Sequence, residues 1–281
     1  METHEDRQVE AYYQRVMEGH VYIQDTIDLW LHVVDQQVRR RTRPLRLLEL
    51  GSHAGIITRA LLQQTPDLDI IVCDEDPTLV RIARRRVQNE RVQYHVGAIE
   101  DLAETVDLVV SVARHHHLPH DYLGAVRRLL RPDGVYVLAD ELCPEYCHGA
   151  QAERIARAEL IHMAGGYVLT THDEVRAFQV DGVVPTHALE LERLRQRALW
   201  RWYRFVVDDA IDRGYFDVAA SELESTHDDL ITGSQAEHKY SPLVVERQLA
   251  LSGFRQLSKK LVGPANDPER QSMFVFEYGT N

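Results

Sequence analysis

The stretch Leu47-Leu48-Glu49-Leu50-Gly51-Ser52-His53-Ala54-Gly55 decides the fold of this chain. Its apolar first part predicts a buried strand, and its two glycines predict a turn from which a helix begins at Ile56. The first amide groups of a helix have no partner within the helix, so they attract polar or negatively charged ligands. A strand that leads into such a turn therefore predicts a binding site for a nucleotide-like ligand.

Strands and helices alternate on the C-terminal side of this stretch. The pattern predicts strands at 45–50, 69–73, 91–96, 107–112 and 134–140, and helices at 56–64, 77–87 and 121–130, with a looser helical stretch at 98–105. The strands are short and almost entirely apolar, which is typical of strands buried on both faces. We therefore expect an α/β fold with a Rossmann-like, doubly wound sheet.

The two ends of the chain are expected to complete this core. Apolar residues at helical spacing predict N-terminal helices within 1–44. Strands at 254–262 and 272–278 should pair antiparallel at the sheet edge, so that 241–281 completes the sheet around the core at 45–142. The prediction is a seven-stranded sheet whose last strand is antiparallel.

Residues 143–240 interrupt the alternation, and their pattern is mostly helical. It predicts one helix over Ala152–Met163, ending at the glycine pair 165–166, and a long helix at 188–213. The apolar face of the long helix is predicted to contain Leu191, Leu194, Ala198, Trp202, Phe205 and Val206. From its position in the chain, we expect this insertion to form a helical lid over the carboxyl edge of the sheet.

Composition excludes several functional classes. The chain has 44 acidic and 32 basic residues and a formal charge of −12, which makes nucleic acid an improbable partner. No apolar run of about 18 residues predicts a membrane span, and the N-terminus has no signal-peptide core. Three cysteines, an odd number, indicate a reducing compartment, so we expect a cytoplasmic protein.

Several core segments resemble class I S-adenosylmethionine (SAM) dependent methyltransferases, in the order and spacing of that family. The resemblance covers 45–141 closely and 241–278 more loosely. It rests on the segments Glu49–Gly55, Cys73–Asp76, Val96–Asp101, Asp107–Leu118, Leu130–Gly134 and Ser252–Phe254. It implies SAM as the cofactor and methyl transfer as the activity. Within the family, the chain looks most like the small-molecule branch that serves natural-product biosynthesis, where the insertion shapes the acceptor pocket.

The resemblance also implies which residues bind SAM. Asp74 ends the second strand, where a carboxylate accepts hydrogen bonds from ribose hydroxyls, although capping of the next helix is the alternative. Gly51 and Gly55 allow the backbone to approach the methionine part, and Glu49 orients the loop or binds the amino group. The remaining cofactor-binding residues predicted are Tyr13, Glu75, Ala98, Ile99 and Ser111, and for Tyr13 core packing is the alternative.

Two positions depart from the family pattern. His53 stands where the family has its central glycine, so either its side chain turns outward, or the pocket shifts, or SAM binding is weakened. Ala98 stands where the family often has an aspartate for the adenine amino group, and Glu100 or Asp101 is the expected substitute.

Candidate catalytic residues follow the fourth and fifth strands. His116 and His117 are predicted general bases, because imidazole titrates near neutral pH, and packing at the strand end is the alternative. Glu141 is a further candidate base, with a loop or capping role as its alternative. The histidine run with His120 also admits a metal site, but it has no carboxylate or cysteine, and we expect no metal.

Three functional hypotheses remain open at this point. The first is methyl transfer to a small-molecule acceptor in secondary metabolism. The second is a SAM-fold protein that does not methylate, either a cyclase or an inactive partner subunit, and the third is a protein or RNA methyltransferase. We also expect a homo-oligomer, because Trp200 and Trp202 point about 200° apart on one helix and cannot both face one core. Coverage of Trp200 by the N-terminal helices is the alternative.

Overall fold

A computed structural model describes residues 3–41, 43–118, 122–157, 162–164, 167–169, 171–227, 230 and 239–280. The chain divides into two compact units. The first unit comprises residues 1–140, 252–260 and 273–281, and the second comprises residues 141–251 and 261–272.

Nine strands are present in the described residues. They are β1 (Arg46–Leu50), β2 (Asp69–Asp74), β3 (Val92–Val96), β4 (Val106–Val112), β5 (Leu130–Glu141), β6 (His162–Ala164), β7 (Tyr167–Leu169), β8 (Phe254–Val262) and β9 (Met273–Thr280). Seven of them form one sheet in the order β3-β2-β1-β4-β5-β9-β8. The ladders from β3 to β5 are parallel and the last strands are antiparallel, which confirms the predicted mixed Rossmann-like sheet.

The helices of the first unit are α1 (His4–Gly19), α2 (Ile23–Arg39), α3 (Ile56–Gln64), α4 (Pro77–Arg86) and α5 (Tyr122–Leu129). Single 3₁₀ turns occupy His53–Gly55, Ile99–Asp101 and His115–His117. The looser helix predicted at 98–105 is wrong beyond one turn, because Ala98 and Leu102 both have extended backbone conformations. The fifth strand begins at Leu130 rather than at 134, since Leu130 pairs with Val106 across an irregularity in the ladder.

Burial of the strands explains why the sheet forms the core. Leu47, Val109 and Val137 are completely buried, as short apolar strands covered on both faces require. The helix α2 packs on this sheet, where the indole of Trp30 donates a hydrogen bond to the carbonyl of Val137 at 3.3 Å.

The first helix, which contains Tyr13, is attached to α4 by ion pairs. Asp6 of α1 accepts hydrogen bonds from Arg81 at 2.6 Å and from Arg85 at 2.9 Å. The contact with Arg81 holds the pKa of Asp6 well below its usual range. Arg86 adds a 2.5 Å contact with Glu10 of α1.

The second unit is mainly helical. Its helices are α6 (Gly149–Arg157), α7 (His172–Asp181), α8 (Thr186–Asp212), α9 (Phe216–His227) and α10 (Pro242–Leu251). The predicted helix over Ala152–Met163 is wrong at its end, because residues 162–164 form an antiparallel ladder with residues 167–169. The glycine pair 165–166 lies outside the described residues, but Gly-Gly is also typical of hairpin connections.

The buried face of α8 differs from the predicted one. Leu191, Trp202 and Val206 are buried as expected, but Leu194 is 44% exposed. A buried ion pair takes its place, with Arg195 donating to Glu192 at 2.7 and 2.8 Å. Apolar periodicity misses this pair because both side chains are charged. No helix among the described residues is long and apolar enough to cross a membrane.

Candidate active site

A small pocket of about 30 Å³ lies at the carboxyl ends of β1 to β4 in the first unit. These strands are adjacent in the order β3-β2-β1-β4, so the pocket follows the sheet edge. Its lining residues are Leu50, Gly51, Cys73, Asp74, Glu75, Gly97, Ile99, Glu100, Arg114, Leu118 and Tyr122. The carboxyl edge is where open α/β sheets bind their ligands.

The two glycines of the β1–α3 turn have different roles. Gly51 lines the pocket with a φ of 85°, and a Cβ there would lie 3.0 Å from Cε1 of His53. Gly55 has a φ of 81°, and its added Cβ would lie 3.0 Å from Cα of Ala83 in α4. Gly51 thus leaves room at the pocket, whereas Gly55 allows α3 and α4 to pack.

His53 folds back over this turn. Its side chain is buried, and its Nδ1 donates to the carbonyl of Gly51 at 3.0 Å, so Nε2 is the free acceptor of the neutral ring. Burial lowers the pKa of His53. Of the three alternatives for His53, an outward-turned side chain does not occur, because this hydrogen bond and the Tyr13 ring hold the imidazole in place. Its φ of 43° is in the left-handed region, which is strained for a residue other than glycine.

Asp74 holds the loop together. Its Oδ2 accepts hydrogen bonds from the amide and the hydroxyl of Ser52 at 2.7 and 2.8 Å, and its Oδ1 accepts from the amide of Asp76. The cap of α4 is Asp76, whose side chain accepts from the amide of Thr78. Glu75 lines the same pocket and is exposed. Asp74 thus shapes the site, and Glu75 presents a free carboxylate to it.

Glu49 is a buried carboxyl group with one free oxygen. Its Oε2 accepts a hydrogen bond from Thr58 at 2.8 Å, whereas Oε1 has no partner among the described residues. Burial raises the pKa of Glu49 to about 8. A buried acceptor without a donor fits a site whose ligand brings an amino group.

The structure brings together only part of the predicted cofactor set. Gly51, Asp74, Glu75 and Ile99 line the pocket. The Tyr13 ring makes an edge contact with the His53 ring, with centroids 6.4 Å apart. Burial and the nearby Asp74 raise the pKa of Tyr13 to about 12. The other predicted residues outside the lining are Glu49, Gly55, Ala98 and Ser111.

The predicted set omitted seven of the described lining residues, of which Glu100 was expected only as a substitute at the adenine position: Leu50, Cys73, Gly97, Glu100, Arg114, Leu118 and Tyr122. Arg114 lies two residues after β4, within the segment Asp107–Leu118, so a charged residue near the pocket was visible in the sequence. Tyr122 gave no such signal, because it begins the apolar face of α5.

The two candidate histidines differ in their surroundings. Nδ1 of His116 lies 2.5 Å from Oδ1 of Asp140, and both side chains are buried. Burial alone would raise the pKa of Asp140, but the neighbouring His116 outweighs it and lowers that pKa to about 2. His117 is exposed, and its ring lies 4.0 Å from that of His116. Neither ring is among the described residues that line the pocket.

A chain of hydrogen bonds runs from the pocket wall into the core. Tyr122 contacts Nδ1 of His115 at 2.6 Å and the hydroxyl of Tyr136 at 3.0 Å. Tyr136 in turn contacts Oγ of Ser111 at 2.9 Å. Burial raises the pKa values of both tyrosines, so both hydroxyls stay protonated. Ser111 therefore supports Tyr122 instead of lining the pocket.

Glu141 belongs to the second unit and is buried there. It accepts a hydrogen bond from the indole of Trp202 and lies 3.5 Å from Nζ of Lys239. Lys239 also donates to the hydroxyl of Tyr203 at 2.8 Å. These contacts occupy Glu141 within its own unit.

No metal cluster is present in the part of the chain that the structure describes. His120 lies outside the described residues. The cysteines 73, 143 and 147 are buried and free.

Comparisons with known proteins agree with this geometry. Residues 47–134 match the family described as Methyltransferase domain. The chain is 25% identical over 130 residues to a malonyl-[acyl-carrier protein] O-methyltransferase of Paenibacillus sp. (strain JDR-2), covering 42% of this chain and 47% of that protein. It is 28% identical over 148 residues to the release factor glutamine methyltransferase of Escherichia coli (strain K12), covering 50% and 51%. The chain thus spans about half the length of the curated relatives it matches.

Among solved structures, one similar chain is the N-methyltransferase NodS from Bradyrhizobium japonicum WM9 in complex with S-adenosylhomocysteine. It has a TM-score of 0.51 and 10% sequence identity, and the match covers 94% of this chain and 90% of NodS. The sheet order is that of a Rossmann-like methyltransferase fold, and the pocket lies at its carboxyl edge. Residues 47–134 are similar to the methyltransferase domain family, whose members of class I use SAM as the cofactor.

Proposed function

We propose that this chain is a SAM-dependent methyltransferase that acts on a small-molecule acceptor. The proposal rests on the pocket at the carboxyl ends of β3, β2, β1 and β4. Its described lining residues all lie within residues 47–134, the segment that matches a methyltransferase domain. The free oxygen of Glu49 adds support, because an amino-acid limb brings the donor that this acceptor lacks.

Bound SAM supplies an activated methyl group, so this chain's residues have to hold and align the two reactants. Asp74 keeps the glycine turn in shape through Ser52, and Glu75, which lines the pocket, would accept hydrogen bonds from the ribose hydroxyls. Glu49 would accept a hydrogen bond from the amino group of the amino-acid limb through its free oxygen. Leu50, Ile99 and Leu118 supply the apolar walls of the pocket.

An acceptor that carries a proton on its attacking atom needs a base. His116 is the better candidate, because Asp140 fixes its Nδ1 as the donor and so makes Nε2 the basic nitrogen of the neutral ring. His117 is the second candidate. Glu141 remains a weaker candidate, since Trp202 and Lys239 already engage its carboxylate.

The class of acceptor is the finer part of the proposal. The malonyl-[acyl-carrier protein] and release factor enzymes act on protein-borne groups, as their names state. A net charge of −12 disfavours nucleic acid. After β4 the chain reads Ala113-Arg114-His115-His116, without the Asn-Pro-Pro-Tyr-like motif expected for amide methylation. We therefore place the enzyme in secondary metabolism in the cytoplasm, as a homo-oligomer in which Trp200, 53% exposed, contributes to the contact.

The test combines cofactor binding with product release. Calorimetry measures SAM and S-adenosylhomocysteine binding, and a coupled assay measures S-adenosylhomocysteine release with panels of hydroxylated, carboxylated and aminated small molecules. Release with at least one small molecule supports the proposal. Turnover only with acyl carrier protein or another protein would contradict the small-molecule assignment.

One observation favours a second candidate, a SAM-fold protein that does not methylate. The His53 ring occupies the space next to Gly51 that the family leaves open. Tight cofactor binding without S-adenosylhomocysteine release on any acceptor would favour this candidate.

The role of residues 143–240 in acceptor selection stays a prediction. Swapping that segment should abolish acceptor turnover while cofactor binding is retained.

A further inference from the structure

Arg114 places a cationic side chain against the glycine turn. Its Cγ and Cδ lie 3.2 and 3.3 Å from the position that a Cβ on Gly51 would take. The preceding residue, Ala113, has a φ of 46°, a left-handed conformation that residues other than glycine rarely adopt. Such strain is concentrated at ligand-binding positions, and here it lies at the bend that leads from β4 to Arg114.

The guanidinium of Arg114 has no hydrogen-bond or ion-pair partner among the described residues, although the side chain is half-buried. Two better-buried arginines of the chain are paired: Arg195 with Glu192, and Arg86 with Glu10. Removing a cation from water without a counter-charge is unfavourable. An anion supplied by a ligand would remove this cost.

The charges that line the pocket are separated along the sheet edge. Asp74, Glu75 and Glu100 lie at the ends of β2 and β3, and Arg114 is the one cationic residue among the described lining residues. Along the sheet edge β4 lies roughly 10 Å from β2 and roughly 14 Å from β3, and the Arg114 side chain leans over Gly51 at the end of β1. A matching ligand has hydrogen-bond donors at the end that faces the acidic residues of β2 and β3, and an anionic group at the end that faces Arg114.

We propose that Arg114 binds the α-carboxylate of the amino-acid limb of SAM. This inference rests on the proposed function, since it assumes that the pocket holds this cofactor. A guanidinium binds a carboxylate through two parallel N–H donors, which favours arginine over lysine. The His53 ring beside it does not compete for the anion, because burial keeps the ring neutral.

The test compares two ligands that differ in this limb. S-adenosylhomocysteine has the amino-acid limb, whereas 5′-methylthioadenosine has the same nucleoside and lacks it. Calorimetry measures both with the wild-type chain, Arg114→Met, Arg114→Lys and Arg59→Met. Methionine keeps most of the aliphatic stem over Gly51, and Arg59 is an exposed arginine on α3 that serves as the control.

We expect Arg114→Met to weaken S-adenosylhomocysteine binding by roughly 10- to 100-fold, the range for loss of a charge-assisted hydrogen-bonded pair. Binding of 5′-methylthioadenosine should stay within about twofold, with Arg114→Lys intermediate and Arg59→Met unchanged. Equal losses for both ligands, or no loss for either, would overturn the inference. Absence of S-adenosylhomocysteine binding by the wild-type chain would instead refute the proposed function.

Discussion

Nδ1 of His116 lies 2.5 Å from Oδ1 of Asp140, in the buried space between the ends of β4 and β5. Oδ2 of the same carboxylate accepts the backbone amide of His115 at 2.6 Å. Asp140 thus fixes both the orientation and the tautomer of the imidazole. Sequence patterns point to His116 but not to this partner, which lies 24 residues further along the chain.

Asp140→Asn should lower the methyl-transfer rate by about 10- to 100-fold, which is at most the lower end of a general-base contribution, because His116 itself is retained. Affinity for S-adenosylhomocysteine should change little, because Asp140 does not line the pocket. The acid limb of the pH–rate profile should move to lower pH, since the imidazole loses the carboxylate that favours its charged form. An unchanged profile together with a reduced rate would indicate a purely structural role.

The sequence predicted the sheet well because its determinants are local. The short apolar strands and the glycine turn each depend on residues that are adjacent in the chain, and the observed elements follow them. The site is less predictable, because tertiary contacts decide which side chains reach the pocket. Ser111 turns to Tyr136, whereas Arg114 reaches Gly51 from a neighbouring strand. Periodicity likewise fails at α8, where the buried Glu192–Arg195 pair breaks the apolar pattern.

Glu49→Gln should flatten the pH dependence of stability. The pKa of Glu49 is about 8 in the folded chain and near 4.5 when unfolded, so the folded state binds more protons between these values. The free energy of unfolding therefore falls as pH rises from about 4.5 to about 8, by up to ~1.4 kcal/mol per pH unit from this group. Urea unfolding between pH 5 and 8 measures the slope. An equal slope in Glu49→Gln would refute the assignment.

Alanine at the two glycines of the turn should have different effects. Gly55→Ala places a Cβ 3.0 Å from the backbone of Ala83, which cannot move aside, so it should destabilise the fold by about 1–3 kcal/mol. Gly51→Ala meets side-chain atoms of His53 and Arg114 rather than backbone, and should chiefly impair S-adenosylhomocysteine binding. Thermal unfolding and calorimetry on both variants check this contrast. A stable Gly55→Ala variant with weakened binding, together with an unstable Gly51→Ala variant, would contradict the roles assigned to the two glycines.

Trp200→Ser should shift the chain towards the monomer. The indole is 53% exposed on α8, and an exposed aromatic side chain of this size is typical of interface anchors. Light scattering at micromolar concentrations should give a mass above 32.4 kDa for the wild-type chain and a lower mass for the variant. A wild-type mass of one chain at every concentration would contradict the oligomer.

The most direct measurement is the calorimetric affinity of S-adenosylhomocysteine for the wild-type chain and for Asp74→Ala. Asp74 holds the glycine turn through two hydrogen bonds from Ser52, accepts a third from the amide of Asp76, and lines the pocket. We predict that the wild-type chain binds the ligand and that Asp74→Ala weakens binding by about 1.5–3 kcal/mol, the range for losing a charged hydrogen-bond acceptor. A wild-type chain that does not bind, or a folded variant with wild-type affinity, would contradict a SAM site at this sheet edge.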